Sequence, residues 1–264
     1  RCERIKLVAV TKNQDVATLA ECKVGSGTVN RLYKISPQGV IRWKFQVPRY
    51  DFFKQMIVDG EDNIIVAGHN YTYSDPENPR RGSGFVMKVS PAGVFQWTKL
   101  IRTPAIPEIV QDDFKVESIA ADGTSILLAI GHRLQPTEPT PLGNGVYLQE
   151  NLTFSIVFMR IDANGAQKWR FDGPQIPVLA PYESPEYSWT TNQLYVDVDA
   201  LFPLTIVFKN GSLYCQHGSL REIRDAMTGE LKSRVNNPYF FGSLLLGQNG
   251  KIYSLGTTTP GLYH

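Results

Sequence analysis

Apolar and polar residues alternate along this chain in short runs, and the runs come in pairs around compact turns. Residues 56–68 read MIVDGEDNIIVAG, 119–131 IAADGTSILLAIG, 206–215 IVFKNGSLYC and 244–256 LLLGQNGKIYSLG. Each is an apolar run, a turn built from Gly, Asp or Asn, and a second apolar run, which is how a β-hairpin is written. A second phrase recurs between them: ISPQGVIRW at 35–43, VSPAGVFQW at 89–97 and IDANGAQKW at 161–169. It places Ser or Asp after a β-branched residue, a Gly three positions later and a Trp four positions after the Gly. No stretch of ten or more residues carries the helical period.

The two phrases alternate, so the chain repeats a unit of two hairpins with strands A–B and C–D. The predicted units are 5–10, 16–22, 31–36 and 40–46; 55–59, 63–69, 84–90 and 94–100; 115–121, 125–131, 155–162 and 166–171; 204–209, 212–217, 219–225 and 229–235; and a last A–B pair at 242–247 and 251–256. Short strands grouped in fours predict an all-β fold, a β-propeller of four-stranded antiparallel blades with four full blades and a partial fifth, either a compact ring in itself or a fragment of a larger ring, in one domain over 1–264. A closed sandwich or barrel is the alternative, but it gives no reason for the Trp to recur at one place in each group.

The C–D phrase has a mechanical meaning. Ser36, Ser90 and Asp162 can bond back to turn amides, Pro37 and Pro91 preset φ, and Gly39, Gly93 and Gly165 tolerate a left-handed backbone. It is not a phosphate loop, because there is no GxGxxG and no helix after it. Trp43, Trp97 and Trp169 then fall on strand D, where a large ring can dock on the next blade with its N–H on a carbonyl there. The fourth unit has Ser233 at that position, which predicts a weaker contact.

These phrases resemble the tryptophan-docking repeats of quinoprotein-type (pyrroloquinoline-quinone-like) β-propellers, best in GSLYCQHGSLREIRDAMTGELKSR, residues 211–234. The resemblance implies a propeller. Relatives of this repeat include quinone-dependent dehydrogenases, non-catalytic scaffolds of the bacterial envelope and propellers on phage particles. The dehydrogenases place a vicinal Cys-Cys and a calcium-binding set around the quinone. This chain has no adjacent cysteines, so the resemblance points to the non-catalytic branch, with no quinone or other cofactor.

Strand direction then sorts the loops. A–B and C–D turns share one face and are tight throughout, whereas B–C and D–A connections share the other. The long connections, 70–83, 101–114, 132–154 and 172–203, all fall on that second face, where a rigid scaffold would carry binding loops. Tyr71, Tyr73, Asp75, Arg80 and Arg81 in the first, and Tyr182, Tyr187 and Trp189 in the last, are of types suited to interface contacts. They predict a protein or glycan partner.

Composition narrows the field. Of 264 residues, 42% are hydrophobic and 20% charged, as in a globular protein, and a net charge of +2 without a basic cluster excludes a nucleic-acid footprint. The longest apolar runs are too short for a membrane span. The chain starts at Arg1 without a signal-peptide pattern, which reads as a mature or trimmed product. Cys2, Cys22 and Cys215 form no zinc pattern. Cys2 and Cys22 flank the first hairpin and can pair in an oxidising compartment, but the simpler expectation is three buried or idle thiols.

His69, His132 and His217 end consecutive B strands and are expected as loop-base residues rather than ligands of one metal. There is no GxSxG elbow and no HExxH. Asp59, Asp122, Asp197 and Asp199 are the carboxylates nearest a channel mouth, with Asp59 and Asp122 expected to shape turns. Asn70, Asn151 and Asn210 begin glycosylation-type triplets.

The expectation is a non-catalytic binding scaffold, without catalytic or metal-ligating residues, in an extracellular, cell-envelope or virion setting. Two alternatives stand beside it: a hydrolase or lactonase-like propeller enzyme with metal or carboxylates at the channel, and a structural subunit of a larger assembly whose incomplete blade another chain completes.

Overall fold

The computed structural model describes residues 2–72, 80–102, 111–135, 140–143, 146–148, 153–173, 176–177, 204–217, 220–236, 241–247 and 249–257. The chain is a β-propeller. Blade one is β1 (Cys2–Val10), β2 (Val16–Val24), β3 (Gly27–Ile35) and β4 (Ile41–Gln46), paired antiparallel in chain order. Blade two is β5 (Phe52–Val58), β6 (Ile64–Thr72), β7 (Arg80–Val89) and β8 (Phe95–Ile101). Blade three is β9 (Gln111–Asp122), β10 (Ser125–Gln135), β13 (Thr153–Ile161) and β14 (Gln167–Asp172). Between β10 and β13 lies a small ribbon, β11 (Thr140–Gly143) with β12 (Val146–Leu148), and β15 (Ile176–Pro177) pairs with the start of β13. Blade four is β16 (Leu204–Lys209), β17 (Ser212–His217), β18 (Leu220–Asp225) and β19 (Leu231–Asn236). A fifth hairpin, β20 (Phe241–Leu246) with β21 (Ile252–Thr257), follows.

The A strands β1, β5, β9, β16 and β20 lie side by side in that order, and side chains stitch them. Gln55 Oε1 accepts the Ile119 N–H at 2.7 Å, Ser118 Oγ accepts the Ile206 N–H at 3.2 Å, and Thr205 Oγ1 accepts the Leu244 N–H at 2.9 Å. Three apolar cores fill the wedges. One joins Leu19 and Leu32 of blade one to Phe85 and Met87 of blade two; the next joins blades two and three around Ile65 and Leu128; the third joins blades three and four around Leu127 and Leu213.

The recurrent Trp residues lie across these wedges. Trp43 donates to Pro91 O at 2.8 Å, Trp97 to Ala163 O at 2.8 Å and Trp169 to Ala226 O at 3.2 Å. Each indole rests on the C–D glycine of the following blade. A Cβ on Gly93 would lie 2.7 Å from Trp43, one on Gly165 3.1 Å from Trp97, and one on Gly229 3.0 Å from Trp169. Those glycines have φ of 79–83°, so both the turn and the ring exclude a side chain. In the fourth turn the Lys232 ammonium, with the Thr228 and Met227 amides, lowers the Asp225 pKa to about 2.

Opposite each Trp, strand C carries a cation that the sequence reading did not single out. Lys34, Lys88 and Arg160 are the cross-strand partners of Trp43, Trp97 and Trp169. Lys34 meets Asp15 at 3.7 Å and Asp62 at 3.4 Å, Lys88 meets Asp59 at 2.9 Å, and Arg160 meets Asp122 at 2.7 Å. In blades one to three the A–B turn is thereby tied to the third strand.

The cysteines correct the expectation of idle thiols. Cys2 and Cys22 form a disulfide with an S–S distance of 2.07 Å. The β1–β2 register makes them direct partners, which a count of three cysteines could not indicate. Cys215 is a buried free thiol, and desolvation raises its pKa.

Candidate functional site

Strands β6, β7, β9 and β10 continue beyond the blade cores on the long-connection face. The stretches read as loops from 70 and to 83 are partly strand: Tyr71 pairs with Gly82 and Thr72 with Arg81. Likewise β9 begins at Gln111, β10 runs to Gln135, and the ribbon β11–β12 occupies part of 132–154. Polar and glycine-rich composition signalled loops there, but backbone pairing continues within each blade and, between β7 and β9, across the two blades.

That support is a parallel bridge. Arg80, Arg81 and Gly82 at the start of β7 pair with Gln111, Asp112 and Asp113 at the start of β9. Asp113, only 2% exposed, accepts the Gly82 N–H at 2.6 Å. A Cβ on Gly82 would stand 2.7 Å from that carboxylate oxygen, so the close approach requires glycine. Segments 73–79 and 103–110 therefore attach to one welded edge spanning two blades.

Behind this edge, aromatic and imidazole rings stack in register. Phe52 and His69 are cross-strand partners with centroids 4.7 Å apart; Phe114 and His132 repeat the arrangement one blade on at 4.1 Å. In blade four the equivalent pair is Leu204 and His217. Ser155 Oγ lies 3.4 Å from His132 Nδ1, and the Arg170 guanidinium sits 5.6 Å from the Phe114 ring centre while gripping Asp172 at 2.7–3.0 Å. Flat stacking on a neighbour one strand away turns His69 and His132 into packing groups at the loop bases. Among the described residues no group of three or more His, Cys, Asp or Glu is placed to hold a metal ion.

The residues singled out from sequence divide in two. Tyr71 lies in β6 and Arg80 and Arg81 in β7, all on the welded rim. Tyr73, Asp75, Tyr182, Tyr187 and Trp189 lie outside the described residues, as do Asp197, Asp199 and Asn151. Asp59 sits in a tight turn and Asp122 closes β9 beside one, both on the opposite face. Asp59 accepts bonds from the Glu61 and Asn63 amides and the Asn63 side chain besides Lys88, so its lone pairs are committed to the turn. Sequence reasoning missed the Asp113–Gly82 clasp. Its signal was only a glycine in a polar stretch and an acid far along the chain, with nothing to connect them before the blades are aligned.

Among the described residues no helix is long and apolar enough to cross a membrane. No known family profile matches the chain, and no curated protein matches it. Solved structures do. A protein of unknown function from Bacteroides caccae is 13% identical, with a TM-score of 0.45 over 95% of this chain and 70% of that one. The Synechocystis apocarotenoid oxygenase is 10% identical, with a TM-score of 0.40 over 88% of this chain and 48% of that one. A subtype N10 neuraminidase-like protein of A/little yellow-shouldered bat/Guatemala is 9% identical, with a TM-score of 0.39 over 97% of this chain and 58% of that one. The chain thus spans about half the length of the last two.

Proposed function

We propose that this chain is a non-catalytic propeller scaffold that engages a protein or surface glycan through its long-connection face. The observation that carries the reading is the welded edge of β7 and β9, which anchors two long segments from different blades on one rigid support. Rigid anchoring lowers the ordering cost that a binding loop must meet on association. Arg80, Arg81 and Tyr71 on that rim are of types enriched in interfaces. Two of the four carboxylates considered for hydrolysis are consumed by turns and ion pairs, which favours binding over chemistry. The tryptophan-docking repeats, resembling those of quinoprotein-type propellers with non-catalytic members, support the same reading. The Cys2–Cys22 disulfide favours an oxidising setting, extracellular or in a cell envelope or virion.

The test replaces residues 73–79 with a two-residue Asn-Gly turn and residues 180–190 with an equal length of Gly and Ser. The protein is then probed on immobilised glycans and on surface proteins of its source. Capture by the native chain, lost in the grafted variant at unchanged melting temperature, is the expected result. Equal capture by both, or no capture by the native chain, overturns the reading.

A further inference from the structure

We infer that Asn210 is a site of spontaneous deamidation, and that its isoaspartyl product loosens the joint between blades three and four. The site lies on the tight-turn face and is independent of the binding role proposed above.

An Asn-Gly pair carries its own reactive partner, because glycine leaves the following amide nitrogen open to attack on the Asn side chain. The chain has four such pairs, of which Asn144-Gly145 lies outside the described residues. Asn210-Gly211 joins β16 to β17, with Lys209 and Ser212 paired across it. Both turn residues have positive φ, 49° for Asn210 and 72° for Gly211, the pattern of a type I′ hairpin. The ladder ends at the flanking residues, so the second turn amide receives no ladder bond. Both turn residues are exposed, and among the described residues the Gly211 N–H meets no acceptor.

The other two described pairs are guarded. The Gly165 N–H donates to Asp162 O at 3.0 Å against the Trp97 ring, and the Gly250 N–H donates to Gly247 O at 2.9 Å. The Asn249 amide is held as well: its Nδ2 donates to the Tyr253 hydroxyl at 2.8 Å and its Oδ1 accepts the Lys251 N–H at 3.0 Å. Attack at either pair must first break the bond on the attacking nitrogen. A backbone bond of typical net strength holds such a reaction back about fivefold.

At Asn210 the Gly211 nitrogen gives its proton to solvent and attacks Cγ. The N–Cγ bond forms, the Cγ–Nδ2 bond breaks, and ammonia leaves with a proton returned by solvent. Water then opens the cyclic imide. Addition at Cγ gives aspartate on the original backbone. Addition at the main-chain carbonyl carbon gives isoaspartate, whose backbone runs through Cβ and Cγ and is longer by one atom.

That extra atom falls beneath the Trp169 dock. Gly211 O accepts the Ala226 N–H at 3.0 Å, and Ala226 O accepts the Trp169 indole N–H at 3.2 Å and the Arg160 guanidinium at 2.7 Å. Lengthening the turn displaces Gly211 O, and with it the residue that both blade-three donors grip.

The test ages the whole protein in warm, mildly alkaline buffer, beside a free peptide of residues 207–214 that marks the rate without the fold. Mass spectrometry with electron-transfer fragmentation follows Asn and isoaspartate at each pair, and hydrogen exchange follows each blade. Asn210 is expected to be lost at least about fivefold faster than Asn164 or Asn249. Exchange in β16–β19 is expected to quicken as isoaspartate accumulates, while that in β5–β8 stays unchanged. Asn210→Gly suits the same turn but has no amide to lose, so it should age without that change. Asn210→Asp adds the charge without the backbone atom, and the fresh variant should exchange like the native chain. Asn210 still intact when the peptide is fully converted, or conversion at Asn164 or Asn249 at an equal or greater rate, overturns the assignment of the site. Unchanged exchange in the isoaspartyl protein, or the same quickening in aged Asn210→Gly or fresh Asn210→Asp, overturns the loosening of the joint.

Discussion

Lys88 shows how much a single residue decides here. Its ammonium is 2% exposed and meets a carboxylate of Asp59 that is fully buried, 2.9 Å away. Asp59 also accepts three kinds of N–H from its own turn, so the carboxylate stays in place when the cation is removed. A buried charge left without its partner costs about 3–5 kcal/mol. Lys88→Met is therefore expected to destabilise the protein by about that amount in denaturant unfolding, despite filling the same volume. The exposed pair Lys168–Asp162, at 2.9 Å in the C–D turn of blade three, sets the contrast, because solvent screens such a pair and its loss costs little. Equal effects of Lys88→Met and Lys168→Met would refute the distinction. The cation was visible in the sequence as K-I-S, K-V-S and R-I-D. Strand alternation offered no reason to bury it, because its partner comes from a turn about thirty residues away.

At the scale of elements, the hairpins of the four blades lie within a few residues of where the apolar periodicity set them. The sequence 204–209 and 212–217 matches β16 and β17 to the residue. Tight turns have local chemistry, so they can be read locally. The rim could not: Gly82 and Gly84 resemble loop glycines, but they make room for Asp113 and Val116 of another blade. The same holds for the disulfide, which depends on the register of β1 against β2. Cys2 and Cys22 are separated by 20 positions, and closing a loop of that size stabilises by about 3 kcal/mol in the chain-entropy account. Reduction by a thiol, or Cys2→Ser with Cys22→Ser, is expected to lower stability by about that much and to speed amide exchange first in β1. Unfolding curves that coincide with and without reductant would show that the pairing of β1 does not depend on the bond.

Across the whole molecule, the junctions differ in strength. Blades two and three share the Trp97 dock, the parallel pairing of β7 with β9, a bond from the Gly60 N–H to Gly123 O at 2.6 Å, and a core reaching from Ile65 to Met159. Blade four is joined to blade three by Trp169, by Arg160 on Ala226 O at 2.7 Å and by a smaller core. The last hairpin meets blade four through the Thr205–Leu244 bond and the Arg221–Ser254 bond at 3.0 Å. In a repeat architecture each unit is stabilised through its neighbours, so openings of different energy should run from the weak end. Amides of β6, β9 and β10 are expected to exchange slowest and those of β20 and β21 fastest. Trp169→Ala removes an indole worth about 3–5 kcal/mol of packing. Exchange in β16–β21 should accelerate, while protection in β5–β8 stays as it was. A uniform loss of protection along the chain would mean instead that the blades open as one cooperative unit, and that the unequal junctions do not set the order in which it comes apart.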